Sequence, residues 1–368
     1  MRWIDEDGTE RERNWVEPLD PRTGAADASA LCPASERFVW AVPTQEGFAL
    51  QLNSLLSVLA LAHRLARVAV LMPLLATGPH YRDAVATRKI RPYYRMDRFV
   101  NVSASLAKTP YAATAFVHFD DVAGQLPIAT PCYSCAGRPP KHVRCARGWG
   151  YEWCDRGRAR RSRKARCSIL FGVKSKDCGY CVFSAGFTHG VQLAEPDWKV
   201  LRSAIIFHDR YERGAAAVVA ELLGSAAGRP YVAFHMRRGD KSRTLDKAGL
   251  TVDRVLAYVA GVAGRRPVVV ATDDRSPATL RAVTARGFAY VDGDALRRLA
   301  PDAADPIGAY LVDILICAGA TRFIGTATAD NKSKQSMLIK ALRVGRGHDA
   351  KKDIVLERLP KGFNATAR

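Results

Sequence analysis

Short apolar runs alternate with stretches of helical spacing over most of this chain. Residues 38–42 (FVWAV) read as a strand, and residues 68–72 (VAVLM) as a second one stopped by Pro73. Between them, after a loop carrying Gly47, the spacing of Gln51, Asn53, Leu55, Leu56, Leu59, Leu61 and Leu65 predicts a helix. Strand, loop, helix, strand is a βαβ opening, which implies a parallel sheet. Residues 100–122 alternate short β-like runs with loop residues. Residues 205–223 return to helical spacing, and Gly224, Gly228 and Pro230 mark a turn.

A second α/β set follows that turn. Strands are expected at 231–234, 267–271, 289–291 and 323–324, and helices at 252–262, 277–286, 307–318 and from Ser336 to Leu342. Two successive α/β sets predict two Rossmann-like domains facing a cleft. The expected boundaries are a loose tail over 1–35, an N-terminal domain over 36–222, a C-terminal domain over 228–345 and a tail over 346–368. A Cys-rich loop insertion with no periodic element occupies 131–182 of the first domain.

Composition narrows the partners rather than the function. The chain has 368 residues, 48% of them hydrophobic, enough for real cores. Its formal net charge of +20 favours anionic partners. Part of that excess is one basic loop, 156–166 (RGRARRSRKAR), which is not strongly interleaved with aromatic residues and so argues against nucleic acid.

Seven of the nine cysteines, Cys132, Cys135, Cys145, Cys154, Cys167, Cys178 and Cys181, fall in the insertion. Disulfides in an oxidising compartment are one reading. Zinc held by the two C-x2-C pairs is the other, although the gap between the pairs is longer than in common zinc modules. Three N-x-[ST] triplets, at Asn101, Asn331 and Asn364, are compatible with a secretory route. Residues 1–22 contain no secretory apolar region. The apolar stretch 50–75 is broken by His63, Arg64 and Arg67, so membrane attachment is expected only through a segment outside this chain.

Candidate chemistry gathers at three strand ends in the second half. The first is His235, Arg237, Arg238, Gly239, Asp240 and Lys241, where two guanidiniums and an ammonium suit a phosphate. A solvated basic turn is the plainer reading. The second is Thr272, Asp273 and Asp274, which could equally be a helix cap with a first-turn acid. The third is 325–329 (GTATA), small enough for backbone N–H groups to approach an anion. In a parallel sheet these ends share one edge. Asp313 sits among Leu311, Val312, Ile314 and Leu315, so its helix is largely buried, and a buried carboxylate needs a partner.

The block HMRRGDK at 235–241 resembles the H-x-R-R-x-D-K signature of the fucosyltransferase superfamily. That group comprises the α1,6-fucosyltransferases, their bacterial Nod-factor relatives and the protein O-fucosyltransferases. ATDD at 271–274 is similar to its second block and DILICAGATRFIGTATAD at 313–330 to its third. Residues 47–75 are similar to its Gly…Asn-Gln helix and following strand-proline. The four blocks are collinear and cover about half the chain.

The resemblance implies a GT-B fold and a metal-independent, inverting transfer from GDP-fucose to a glycan or glycoprotein acceptor, with no cofactor. By position it places Arg237 on the donor β-phosphate and His235 and Asp313 facing the guanine. Arg238, Asp273 and Asp274 would line or brace the site, and Thr326, Thr328 and Ala329 would hold phosphate by their backbone. Leu50 stands where the family has Asn, and Thr328–Ala329 where many members have two serines. Asp246 and Glu46 are the candidates for deprotonating the acceptor. A Golgi or endoplasmic-reticulum location is the corresponding expectation. Two other readings compete. One is an inactive module of this fold docking acidic glycans through 156–166. The other is a zinc-bearing protein that binds nucleic acid.

Overall fold

The computed structural model describes residues 2–4, 10–12, 38–42, 47–64, 68–71, 74–75, 93–118, 121, 145–148, 151–154, 181–184, 195–327, 333–360 and 362–363. The chain divides into two compact units, Met1–Leu201 and Arg202–Arg368.

The first unit carries a four-stranded, all-parallel sheet. Its strands are β1 (Phe38–Val42), β2 (Val68–Leu71), β3 (Phe116–His118) and β4 (Cys181–Ser184), in the order β4-β1-β2-β3. Helix α1 (Phe48–Arg64) makes the crossover from β1 to β2 and buries Leu52, Leu55, Leu56 and Leu59. The stretch 100–122, read as short β-like runs, contains β3 but opens with a helix, α2 (Val102–Ala107). Asn101 caps it, its side chain accepting the Ala104 N–H at 3.0 Å, and such a cap favours helix over strand. The tail contains an antiparallel pair, Arg2–Ile4 with Glu10–Glu12. The insertion contains another, Cys145–Gly148 with Tyr151–Cys154, and its last residues belong to β4. The cysteine side chains of the insertion lie outside the described residues.

The second unit opens with α3 (Asp209–Leu223), which packs on a later helix of the same unit. Strand β5 (Val232–Met236) follows, then α4 (Ser242–Lys247), α5 (Val252–Ala263), β6 (Val268–Thr272), α6 (Pro277–Thr284), β7 (Ala289–Tyr290), α7 (Gly293–Leu299), α8 (Pro306–Gly319), β8 (Arg322–Thr326), α9 (Lys334–Gly345) and β9 (Ile354–Leu356). The five strands are all parallel in the order β7-β6-β5-β8-β9.

Side chains alternate across a strand, so each strand feeds two layers. Val232, Phe234 and Met236 of β5 join Val255, Leu256 and Val259 of α5 in one apolar cluster. The opposite face is covered around α8, which buries Leu311, Val312, Ile314, Leu315 and Ile316, as a helix apolar on all sides must. Asp305 starts that helix by accepting the N–H groups of Ile307 and Gly308 at 3.0 and 2.7 Å.

Residues 346–360, expected as part of a tail, include a strand of the sheet. Arg343 of α9, fully buried, pairs with Asp353 at 2.9 Å and donates to the carbonyls of Ala318 at 3.2 Å and of Ala320. That bond set satisfies the carboxyl end of α8 and anchors the turn into β9. Strand β9 then pairs with β8 and buries Leu356. No helix among the described residues is long and apolar enough to cross a membrane.

Candidate active site

The sheet of the second unit reverses its order at β5, with β6 and β7 on one side and β8 and β9 on the other. Connections on the two sides leave in opposite directions, so a crevice opens beyond the carboxyl ends of β5 and β8. Open α/β sheets bind ligands there. The chain leaving β5 at this point reads Arg237, Arg238, Gly239. The Arg237 backbone N–H donates to Thr326 Oγ1 at 2.9 Å. The end of β8 is thereby tied to the first residue beyond β5.

Asp273, just past β6, supplies the second brace. Its Oδ1 accepts the backbone N–H groups of Arg238 at 2.6 Å and Gly239 at 2.9 Å. Its Oδ2 takes the Arg237 guanidinium at 2.7 Å. A Cβ at position 239 would lie 2.8 Å from Asp273 Oδ2, so a side chain there must displace that carboxylate.

Arg238 turns inward and is buried. Its Nη2 donates to Asp246 at 2.8 Å, its Nη1 to the Leu250 carbonyl at 2.9 Å, and its Nε faces Asp274 Oδ2 at 3.8 Å. Asp274 in turn accepts the Ser276 N–H at 3.0 Å and the Thr279 hydroxyl at 2.7 Å. Burial would raise the Asp274 carboxyl, but the Thr279 and Ser276 bonds, with Arg238 nearby, hold it below its ordinary value. The residue that caps α6 is Ser276, whose side chain accepts the Thr279 N–H. Asp274 shapes the turn before it.

The structure thus brings Arg237, Arg238, Asp246, Asp273, Asp274 and Thr326 into one bonded set. His235 is placed differently from a strand-end residue. It lies within β5, only 3% exposed, with Nδ1 3.2 Å from the Ser336 hydroxyl. Burial pushes its imidazole down to about 4; Arg237 adds to the shift, and Asp273 and the Gln335 side chain oppose it. Asp313 lies on α8 rather than at a strand end, 9% exposed. It sits one turn before Cys317, whose thiol is pushed well up, first by burial and then by the Asp313 charge. Glu46, Thr328 and Ala329 lie outside the described residues.

Sequence reasoning missed the first turn of α9. The helix begins at Lys334, with Ser333 as its cap accepting the Ser336 N–H at 3.2 Å. A serine just before the first periodic residues was the signal that could have found it. The leading N–H groups of a helix have no partners within it, and its positive dipole end attracts anions. Among the described residues no group of His, Cys, Asp and Glu is arranged to hold a metal ion.

No known sequence family matches the chain, and no curated protein does. Solved structures do. That of POFUT1 in complex with GDP-fucose aligns over 88% of this chain and 99% of its own, with a TM-score of 0.51 and 13% identity. POFUT1 in complex with GDP aligns over 87% and 98%, with a TM-score of 0.50 and 14% identity. The fucosyltransferase NodZ from Bradyrhizobium aligns over 83% and 92%, with a TM-score of 0.47 and 16% identity. By the extent of its alignment this chain has the fold of POFUT1, an α/β architecture of the parallel sheets that the strand–helix–strand pattern led us to expect.

Proposed function

We propose that the chain is a glycosyltransferase of GT-B type that moves fucose from GDP-fucose to a hydroxyl of a glycan or glycoprotein, with inversion and without a metal. One observation carries the reading. Arg237 is fixed by Thr326 and Asp273 at the switch point of a doubly wound sheet, in a fold whose POFUT1 example is in complex with GDP-fucose. A guanidinium at that place meets the donor diphosphate, with the first turn of α9 as a second anion-binding element.

The reaction then runs as one displacement. The acceptor oxygen attacks C1 of fucose on the face away from the diphosphate. The C1–O bond to the β-phosphate breaks, and its electron pair leaves with GDP. Arg237 stabilises the charge developing on that phosphate. The acceptor proton passes to a carboxylate, for which Asp246 and Glu46 are the candidates. Asp246 is 46% exposed and engages Arg238 through Oδ1, so its other oxygen would take the proton. Asp313 is assigned to the guanine, and Arg238 and Asp274 to bracing the loop. Thr326, Thr328 and Ala329 are assigned to the phosphate side. The first unit is the acceptor side, and the cysteine content fits a disulfide-bearing protein of the secretory pathway. The rival docking module would act through residues 156–166, which lie outside the described residues.

The test is GDP release from GDP-fucose with EDTA present, with and without candidate acceptors. Turnover by the wild type, reduced about 100- to 1,000-fold in a folded Arg237→Ala variant, supports the reading. Undiminished turnover in that variant contradicts it.

A further inference from the structure

We infer that His235 is a positioning residue: it pins the amino end of α9 to the sheet, sets that end against Arg237, and does not itself touch the nucleotide. The functional half of this rests on the GDP-fucose reading above; the structural half does not.

The argument begins with strand geometry. Val232, Phe234 and Met236 point into the apolar cluster on one face of the sheet, so His235 points to the other. Its register neighbours there are Ala271 of β6 and Gly325 of β8, both small. A Cβ on Gly325 would lie 2.6 Å from Ser336 Oγ. The first turn of α9 therefore lies directly on β8 at this point, in a slot that only a glycine leaves open. Through that slot the fully buried Ser336 hydroxyl reaches His235 Nδ1 at 3.2 Å.

A buried polar ring needs a partner, and Ser336 of α9 supplies it. At 3% exposure the ring offers a nucleotide almost no surface. One residue beyond Gly325, Thr326 Oγ1 holds the N–H of Arg237, two residues beyond His235. The helix end and the Arg237 backbone thus hang from the same two strands, the first through the Ser336–His235 contact and the second through Thr326, while Asp273 holds the guanidinium. A displaced helix end would leave Arg237 to meet the diphosphate alone.

The test uses the full chain with Ser336→Ala, His235→Ala and His235→Asn. Amide hydrogen exchange over residues 334–340 is measured without nucleotide, and affinities for GDP and ADP by calorimetry. We expect exchange in the first turns of α9 to accelerate about tenfold or more in both alanine variants, with partial restoration in His235→Asn. GDP affinity should fall about tenfold while the preference for GDP over ADP is kept. Unchanged exchange, or loss of the GDP preference, overturns the inference, the latter because it would put the ring on the base. If His235→Ala fails to fold, Ser336→Ala, which removes a single hydroxyl, still decides. A wild type that binds no GDP would overturn the donor reading, and the exchange rates would then decide on the pin alone.

Discussion

The carboxylate of Asp273 holds the Arg237 guanidinium at 2.7 Å on one oxygen and the N–H groups of Arg238 and Gly239 on the other. One side chain thus fixes both the charge and the backbone of the loop. Asp273→Ala should lower stability by about 1–3 kcal/mol, because two N–H groups lose their acceptor. It should also weaken donor binding about tenfold or more through a mobile Arg237. Chemical denaturation and calorimetry check the two effects. Normal donor affinity in the variant would remove Asp273 from the account.

Gly239→Ala reaches the same brace from the opposite side. Its methyl would lie 2.8 Å from Asp273 Oδ2, so the carboxylate must shift. We expect a weaker form of the Asp273→Ala defect. The double variant should lose less than the sum of the two, since both act on one contact. Strict additivity of the two losses would show that they act independently.

Arg343 and Asp353 make a buried ion pair that joins α9 to β9. Removing one member leaves a buried charge uncompensated, a loss of about 3–5 kcal/mol. Asp353→Ala should therefore lower the denaturation midpoint far more than Asp349→Ala, whose carboxylate is half-exposed and only 4.0 Å from the exposed Lys352 ammonium. Equal effects of the two would argue that β9 is peripheral to the unit.

His235 sets a pH dependence. Its ordinary value of 6.5 falls to about 4 on folding, so the unfolded chain takes up the proton first. The stability that His235 contributes is complete above pH 6.5 and is lost as pH falls from there toward 4. The slope approaches about 1.4 kcal/mol per pH unit. Denaturation between pH 7 and pH 5 should show a smaller decline in His235→Asn than in the wild type. An identical decline would show that other groups carry the acid sensitivity.

Much of the second unit was legible in the sequence because its strands are continuous apolar runs, as strands buried on both faces are. The runs at 231–234, 267–271 and 323–324 stood out for that reason and fall on Val232–Met236, Val268–Thr272 and Arg322–Thr326, and polar clusters at their ends marked one edge. The position of His235 was not legible. It looked like the first residue of a polar strand end, and only the small residues across the register, Ala271 and Gly325, make room to bury it. Those neighbours are distant in sequence. Strand β9 was missed for a related reason: three apolar residues carry little signal, and their anchor is an ion pair formed with α9. Helix α2 was masked by the alternation of residues 102–106 (VSASL), which imitates a strand. The Asn101 cap decided the matter locally.

The most direct measurement is calorimetric binding of GDP, GDP-fucose, GDP-mannose and UDP-sugars to the purified chain in EDTA, for the wild type and Arg237→Ala. The account predicts binding confined to GDP and GDP-fucose, and a loss of about tenfold or more in the variant. A folded wild type that binds none of these nucleotides, or binds them equally well without Arg237, would contradict it.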